Sequence, residues 1–340
     1  MEEKNSMKVV NSETKNISKY DFKPSYTWPN PAFPFRVYYE SQKCRIFIIE
    51  NIQHNWQWMS EWHQHFRETD FFFVYCGWYH SPSFAKEADK IFSLLNLDKK
   101  QFFIMYNSPL EMENFTEKGF YGDVINHNAW LDENLVMRPL NLDKIYNAIY
   151  VGRRSKFKRH TLASKVSELA LVAGINHGNT VSEIPTYKYL NDKQLSSEEV
   201  CEKINQAHCG LILSAEEGAC FSSSEYLLSG LPVVSTPSKG GRDVWYDEYN
   251  SIVCEPTPDE VALAVEEFVR NPRDPQRIRQ KHIEKAQEYR VKFINVLADV
   301  FHRFGVVDAD PFKYFQDNFY HKLRKSYKPD FQGIFGNNYS

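Results

Sequence analysis

Several features that would place this chain in another class of protein are missing from its sequence. It contains no stretch of about 18 or more consecutive apolar residues, so it predicts no membrane-spanning helix. The first residues, MEEKNSMKVVNSETKN, are polar and lack the apolar core of a signal peptide. A net charge of −3 gives no support for a nucleic-acid-binding protein. We therefore expect a cytoplasmic protein with no nucleic-acid partner.

Cysteine is present but never in CxxC spacing, the arrangement that most often marks a zinc site or a redox pair. Several of the six cysteines stand inside apolar runs. They are expected to be small buried residues of a protein in a reducing compartment, neither disulfides nor zinc ligands. These cysteines are Cys44, Cys76, Cys201, Cys209, Cys220 and Cys254.

The segments that are present alternate between strand and helix. Near-continuous apolar strands separated by helical patterns predict parallel sheets covered on both faces. The strands are expected at 44–50, 70–76, 101–107, 122–128, 145–152, 209–214, 231–236 and 251–254. The helices are expected at 54–66, 83–97, 160–174, about 196–208, 257–271 and on to about 304. The predicted fold is α/β, with two tandem Rossmann-like domains and a ligand in a cleft between them.

The domain boundaries follow from breaks in this alternation. The polar, proline-dotted residues 1–35 are expected to be a loosely attached lead-in to a first domain, 1–140. The stretch LDENLVMRPLNLDK (131–144) interrupts the pattern and is taken as the linker. A second domain follows at 141–305, and residues 306–340 form a separate C-terminal segment.

Two glutamates in EEGACFSSSEYLL mark a candidate ligand site. Glu217 is expected in the loop after a strand and Glu225 in the following helix, eight positions later. Between them, the amides of residues 219–222 would be free donors at a helix start, suited to an anion. The segment could hold a phosphate at its middle and hydroxyl groups at its glutamates.

A cluster of cations follows another strand, in YVGRRSKFKRH (150–160). Taken alone, it is equally well a solvated basic loop or a nucleic-acid patch. Together with the helix start and the two carboxylates, it is better explained as a clamp on a diphosphate, whose growing charge fixed cations would stabilise. The cluster consists of Arg153, Arg154, Lys156, Lys158 and Arg159.

These motifs, in this order, resemble those of retaining glycosyltransferases of the GT-B fold, the glycogen-synthase and bacterial mannosyltransferase type. Gly152-Arg153 with Lys158 is similar to the arginine–lysine pair of that family, and Glu217 with Glu225 to its E-x7-E motif. The segment from LLSGLPVVST to the helix opening PDE, and the turn HNAWLDENLV, also resemble family segments. The resemblance covers about 125–270.

The resemblance implies a role for each matching residue. Arg153, Lys158 and Glu217 would be the catalytic residues, with the two cations on the donor diphosphate and Glu217 at the transferred sugar. Glu225 would bind the ribose. The remaining donor-binding positions would be Gly152, Gly218, Ala219, Cys220, Phe221 and Ser222. The family often has Gly-Phe-Gly where this chain has Gly218-Ala219-Cys220.

The resemblance also implies a mechanism and a set of partners. The enzyme would move a sugar from a nucleotide-diphosphate sugar to a glycan, a glycolipid or another hydroxyl acceptor, on the front face and with retention. No cofactor and no metal would be needed, and Asp308-Ala309-Asp310 is interpreted as a polar turn. The first domain would face the acceptor, the second would bind the donor, and 306–340 would pack back on the first domain.

Acceptor-side residues are assigned from position alone. His80, His127 and Asn128 are the acceptor or catalytic candidates, because each follows a predicted strand of the first domain. The tryptophans at 56, 58 and 62 are expected in the core, with an acceptor pocket as the alternative. The aromatic and basic tail 312–328 has two interpretations, a helix crossing back or a peripheral membrane contact.

Three other functions fit the same fold. A nucleotide-sugar epimerase would interconvert donors without an acceptor, and a phosphorylase would carry a lysine-bound pyridoxal cofactor. A degenerate transferase would bind nucleotide sugar or glycan without turnover. The presence of Arg153, Lys158, Glu217 and Glu225 together argues against the degenerate form.

Overall fold

The computed structural model describes residues 35–75, 77–174, 183–323 and 330–336. The predicted lead-in 1–35 therefore lies outside the described residues except for its last position. So do Cys76 and residues 324–328 of the basic tail. The other five cysteines are free thiols.

The chain divides into two compact units. Unit 1 comprises Met1–His127 and Arg290–Ser340, and unit 2 comprises Asn128–Tyr289. The divisions therefore stand at 127/128 and 289/290, whereas the sequence suggested 140/141 and 305/306. The boundary at 127/128 has a local cause, because the Asn128 side chain forms hydrogen bonds with the segment 219–224 of unit 2.

Unit 1 is built on a sheet in which five strands are described. Their order follows the chain, β1-β2-β3-β4-β5, with β1 antiparallel to β2 and the other pairs parallel. The strands are β1 (Phe35–Glu40), β2 (Arg45–Ile49), β3 (Asp70–Tyr75), β4 (Phe102–Tyr106) and β5 (Tyr121–Val124). Strands β2 to β4 are buried along their whole length, as near-continuous apolar sequences predict for parallel strands.

Short helices connect these strands: α1 (Trp56–Trp62), α2 (Pro82–Leu94) and α3 (Pro109–Thr116). Helices α2 and α3 begin in the same way, with a serine hydroxyl accepting an amide and proline in the first turn. Trp56 and Trp58 lie in the core of unit 1, and Trp62 packs against that core.

Unit 2 contains a sheet in which every described pair of strands is parallel. Its order is β11-β10-β9-β6-β7-β8. The strands are β6 (Tyr146–Val151), β7 (Leu169–Val172), β8 (Tyr189–Leu190), β9 (Ala207–Ile212), β10 (Val233–Ser235) and β11 (Ser251–Val253). The helices are α4 (Ser197–Asn205), α5 (Phe221–Leu228) and α6 (Pro258–Arg270). Helix α4 opens with the predicted capping box of Ser196 and Glu199.

The helix predicted at 160–174 is wrong. The structure has a 3₁₀ turn at His160–Ala163 and then strand β7, which pairs with β6. The apolar residues of this segment are spaced as on a helix, but LALV is also a short apolar run. Such a run, buried on both faces of a parallel sheet, cannot be told from a helix by periodicity alone.

The chain ends on unit 1. Helix α7 (Pro275–Arg303) begins in unit 2, and its residues from 290 onward belong to unit 1. Two short helices follow, α8 (Pro311–Asp317) and α9 (Phe331–Phe335). Phe335 is 3% exposed and lies in the unit 1 core, 5.8 Å from the Trp58 ring. No helix among the residues described is long and apolar enough to cross a membrane.

A buried ion pair ties α9 to the sheet of unit 1. Arg45 and Asp70 are paired positions at the starts of β2 and β3, and two hydrogen bonds of 2.7 Å join their side chains. Arg45 also donates to the main-chain oxygen of Ile334, and its guanidinium lies 5.2 Å from the centre of the Phe335 ring. One buried cation therefore connects two strands to the C-terminal segment.

His80 is a buried histidine whose ring has no polar partner among the described residues. It is fully buried, neither ring nitrogen has a hydrogen bond, and its ring packs 4.4 Å from Phe84 and 5.5 Å from Phe115. Burial lowers the pKa of His80 to about 3. The main-chain groups of this residue, by contrast, are bonded to Glu111 and Asn114.

His80→Leu is expected to stabilise the protein. Removing a buried polar group that lacks a partner should add about 1–3 kcal/mol to the free energy of unfolding. Because the pKa of folded His80 is below its ordinary 6.5, the wild type should lose stability as pH falls from 6.5 toward 3, and the variant should lose less. Urea unfolding at pH 7 and pH 5 measures both effects.

His302→Leu is the matched control, because His302 is exposed on α7. It should change the free energy of unfolding by no more than about 0.5 kcal/mol. A His80→Leu protein that unfolds more easily than the wild type at pH 7 would contradict this account. Loss of turnover at unchanged stability would instead support the catalytic interpretation of His80.

Candidate active site

The predicted donor residues of unit 2 meet at one edge of its sheet. They follow the ends of β6 and β9, and a third segment, 236–242, follows β10. Because β6, β9 and β10 are parallel neighbours, their carboxyl ends open onto the same edge, where α/β sheets bind ligands.

The turn after β6 places Lys158. The hydroxyl of Tyr150, a β6 residue, donates to the main-chain oxygen of Lys158 at 2.5 Å and accepts from the Leu213 amide at 3.4 Å. Arg159 then takes a left-handed conformation, with φ of 51°. The turn is thus fastened to the end of β9, and the Lys158 side chain has a defined origin.

Lys158 and Glu217 form a buried ion pair. Nζ of Lys158 donates to Oε1 of Glu217, and their side chains are only 9% and 7% exposed. Burial alone would lower the pKa of Lys158, but its acidic neighbours, Cys220 when ionised and Glu217, raise that pKa above the ordinary value. Burial also raises the pKa of the Cys220 thiol to about 11, so that thiol is neutral near pH 7. Glu217 is therefore the partner that keeps Lys158 charged.

The other cations of the cluster differ in their exposure and in their contacts. Arg153 is exposed, with its guanidinium 5.2 Å from the centre of the Phe157 ring, and Lys156 is exposed too. Arg159 donates to the Leu213 oxygen at 2.5 Å and to the Thr236 hydroxyl at 2.6 Å. Arg159 thus joins the ends of β9 and β10, while Arg153 is exposed to solvent.

The segment Gly218-Ala219-Cys220 leads into α5 with open amides. No described residue accepts a hydrogen bond from these three amides, and no acidic residue stands in the first turn of α5. Cys220 has φ of 56°, a conformation that is costly for any residue other than glycine. Such strain at a loop edge is common where a backbone serves a ligand.

The Asn128 side chain binds the segment Ala219–Ser224. Its Nδ2 donates to the oxygens of Ala219, at 2.7 Å, and Cys220, at 3.1 Å, and to the hydroxyl of Ser224, at 2.7 Å. Asn128 was assigned to the acceptor side from its position after a strand. The structure places it against the predicted donor segment of unit 2.

Helix α5 carries Glu225 on its more exposed side. Phe221, Ser222 and Glu225 are half-buried, while most of the helix is fully buried. Positions three and four apart share a helix face, so these residues form one surface beside the open amides. Gly152 contributes its amide to the Val172 oxygen at 2.9 Å.

His80 and His127 belong to unit 1. The ring of His127 stacks on Tyr75 at 4.5 Å, and its amide donates to Asn107 at 2.9 Å. Both histidines therefore follow the carboxyl ends of unit 1 strands, as the sequence suggested. Their roles toward an acceptor stay predictions.

Two side chains of this site, Ser214 and Arg242, were not among the residues predicted from the sequence. Arg242 is completely buried and donates to Ser214, whose hydroxyl donates to Glu217 at 2.9 Å. The signal that could have found them is the glycine pair 240–241, since Gly240 has φ of 114° and a Cβ there would lie 1.7 Å from the Glu217 oxygen. Because the Gly240 backbone lies this close to Glu217, residues next to Gly240 in the sequence become candidates for contact with the site.

Metal ligands are not grouped anywhere in the described part of the chain: no three His, Cys, Asp or Glu side chains are placed to hold an ion together. In the Asp308–Asp310 segment, the Asp310 carboxylate accepts the amides of Phe312 and Lys313 and thereby caps α8. That carboxylate has a structural task of its own.

Comparison with known families gives a match in unit 2. Residues 193–287 match the model described as glycosyl transferases group 1. This region contains Ser214, Glu217, Glu225 and Arg242, but not Lys158. No curated protein matches the sequence.

Solved structures show the same fold at low identity. A sucrose-phosphate synthase from Thermosynechococcus elongatus has 14% identity and a TM-score of 0.52, over 74% of this chain and 72% of that one. The pneumococcal O-GlcNAc transferase in complex with UDP and GlcNAc has 13% identity and a TM-score of 0.50. The alignment covers 69% of this chain and only 53% of the pneumococcal enzyme. These likenesses show that the fold is of the GT-B type, and the match to the glycosyl transferases group 1 model is confined to 193–287.

Proposed function

We propose that this protein is a retaining glycosyltransferase that moves a sugar from a nucleotide-diphosphate sugar to a hydroxyl of a glycan or glycolipid. The observation that carries the proposal is the buried Lys158–Glu217 pair beside the open amides of 218–220. This arrangement offers a fixed positive charge, backbone donors and a carboxylate at one sheet edge.

The cation supports departure of a nucleoside diphosphate. Negative charge grows on the leaving phosphate in the transition state, and a preorganised ammonium stabilises it most where water is excluded. Lys158 is preorganised by Tyr150 and Glu217, and an ammonium has three donors, of which Glu217 takes one. Arg153, which is exposed, is proposed as the second cation on the diphosphate.

The start of α5 supports binding of the same diphosphate through the backbone. Open amides and the helix dipole favour an anion at this end, and an acidic residue in the first turn would oppose it, but α5 has none there. Glu225, on the surface beside these amides, is proposed to bind the ribose hydroxyls. Phe221 and Ser222 would line the same surface.

In the proposed reaction the bond from the anomeric carbon to the phosphate oxygen breaks, and a bond to the acceptor oxygen forms on the same face. The proton of the acceptor hydroxyl passes to the leaving phosphate oxygen. A double displacement would need a carboxylate nucleophile close to a second carboxyl group. Glu217 is instead held by Lys158 and Ser214, so its proposed role is to orient the sugar. We propose that the reaction needs no metal, which EDTA treatment would test.

The acceptor and the location of the enzyme are also proposals. A glycan or lipid-linked acceptor at the unit 1 residue His127 would suit a cytoplasmic enzyme with peripheral membrane contact, whereas the fully buried His80 has no surface to offer an acceptor. The C-terminal segment supplies an apolar surface for such contact, because Val307 is 94% and Phe312 53% exposed. Sedimentation with anionic vesicles tests this part.

The first experiment is thermal unfolding with UDP, GDP, ADP, CMP and their common sugars. Uridine compounds lead the panel because the pneumococcal enzyme was solved with UDP and GlcNAc. A ligand at about 100 times its dissociation constant should add roughly 2.7 kcal/mol of stability. A shift with one nucleotide family is the expected result, and Glu225→Gln should reduce that shift by weakening ribose binding.

Glu266→Gln is the control, since Glu266 is exposed on α6 and its ion-pair partner is Arg270, in the same helix. It should leave the shift unchanged. No shift with any nucleotide in the wild type would count against the proposal and favour a degenerate transferase. Interconversion of donors in the absence of an acceptor would favour an epimerase.

A further inference from the structure

Arg242 is a completely buried guanidinium at the carboxyl ends of two strands. Its Nη1 donates to the Ile212 oxygen at 3.1 Å and to the Ser214 hydroxyl at 3.0 Å, and its Nη2 donates to the Thr236 oxygen. Nε donates to Asp243 at 2.8 Å. Since Arg242 has no exposed surface, it is placed to hold protein groups, and a ligand cannot reach it without displacing them.

Ser214 connects this guanidinium to Glu217. The serine oxygen accepts from Arg242, so its own proton is directed away, and it donates to Oε1 of Glu217 at 2.9 Å. Lys158 donates to the same oxygen. Oε1 is therefore engaged by two donors, while no described residue donates to Oε2.

The main chain of Glu217 is held by the segment that carries Arg242. The Glu217 amide donates to the Lys239 oxygen at 3.0 Å, and the Gly241 amide donates to the Gly218 oxygen at 3.0 Å. Gly240, between them, passes so close to Glu217 that no side chain would fit. Residues 239–242 thus hold both ends of Glu217, its backbone directly and its carboxylate through Ser214.

We infer that Arg242, acting through Ser214, is a positioning residue that turns Oε2 of Glu217 toward the sugar of the bound donor. The inference rests on the proposed function, because it assigns the free oxygen to a sugar hydroxyl. With Oε1 engaged by two donors, a sugar hydroxyl that binds this carboxylate is directed to Oε2. The chain Arg242–Ser214–Glu217 therefore acts on the sugar and not on the nucleotide.

Ser214→Ala tests this series of hydrogen bonds, because it removes the hydroxyl between Arg242 and Glu217 and leaves both charged residues in place. Ser235→Ala is the matched control: Ser235 is also completely buried at a strand end, and its hydroxyl donates to the same Ile212 oxygen that Arg242 holds, but it has no bond to Glu217. Binding of the nucleoside diphosphate and of its sugar nucleotide is measured for each variant by calorimetry, with the nucleotide that shifts the wild type most.

Ser214→Ala should bind the nucleoside diphosphate within about twofold of wild type and the sugar nucleotide roughly five- to tenfold more weakly, the effect of one ordinary hydrogen bond. Ser235→Ala should weaken both by no more than about twofold. Equal effects of the two variants on the sugar nucleotide would overturn the inference and leave the proposed function intact. A wild type that binds no nucleotide would overturn the proposed function and the inference with it.

A double-mutant cycle, measured by unfolding without ligand, tests the contact between Ser214 and Glu217. Ser214→Ala is compared in the wild type and in Glu217→Met, which removes the acceptor at similar volume. If Ser214 acts on Glu217, the fall in unfolding midpoint caused by Ser214→Ala should shrink by about half or more in the second background. Full additivity would overturn the inference whether or not nucleotides bind. Arg242→Lys should recover part of the sugar-nucleotide affinity that Arg242→Met loses.

Discussion

Asp70→Ala is expected to destabilise unit 1 by about 3–5 kcal/mol, because it leaves the Arg45 guanidinium buried without its countercharge. Arg45 and Asp70 are 1% and 0% exposed, and the same guanidinium anchors α9 through Ile334. The loss should appear as a lower urea midpoint. It should be accompanied by faster proteolysis near the C-terminus, since without Asp70 the Arg45 side chain that binds the Ile334 oxygen of α9 is no longer held in place.

A second substitution distinguishes loss of the pair from loss of packing. Arg45→Met together with Asp70→Ala removes the unpaired charge and should recover part of the stability. Asp317→Ala is the control, because its ion pair with Lys313 is exposed and should contribute less than about 1 kcal/mol. If Asp70→Ala costs no more than Asp317→Ala, the buried pair does not have the assigned role.

Lys158→Met is expected to lower turnover by roughly 10²–10³-fold, the usual effect of removing one preorganised group that stabilises transition-state charge. Methionine keeps most of the apolar stem and removes the ammonium. The fall should be in kcat more than in the affinity for the acceptor, since the proposed contact strengthens as charge develops on the leaving phosphate.

Two further variants keep this prediction decisive. Lys158→Met leaves Glu217 buried without its partner, so its urea midpoint is compared with that of Lys158→Met with Glu217→Gln, in which the unpaired charge is removed; the difference shows how much of the effect is loss of structure. Lys165→Met is the control, because Lys165 is 57% exposed and pairs with Asp259 at the surface. Turnover of Lys158→Met within about tenfold of wild type would remove Lys158 from the catalytic site.

Two fully buried strands of unit 1, β3 and β4, were predictable from the sequence. FFFVY and FFIMY are apolar at every position, and a segment with no polar face can only be buried on both sides. Caps were predictable for a similar local reason, since Ser196 and Glu199 stand three residues apart at the start of a helix. The segment 160–174 failed because LALV fits either periodicity, and its pairing with β6 decided the outcome.

The sequence predicted which residue types make up the candidate site, but it did not predict which side chains they contact. Glycine, lysine and glutamate at these spacings predicted a site for a diphosphate and a sugar. The ion pair between Lys158 and Glu217 joins residues 59 positions apart. Nothing local to either residue specifies it. Asn128 was placed on the acceptor side because its position after a strand was known and its contact with Ala219 was not.

The sequence by itself determined the alternation of strands and helices, the two-domain α/β class and the charged residues that follow the unit 2 strands, because these depend on local periodicity and composition. Only the tertiary structure decided that Glu217 is held by Lys158 and by Arg242 through Ser214, and that α9 is fastened to Arg45. Parallel strands bring distant loops to one edge, and a buried charge must then find its partner among the residues that the sheet order places beside it.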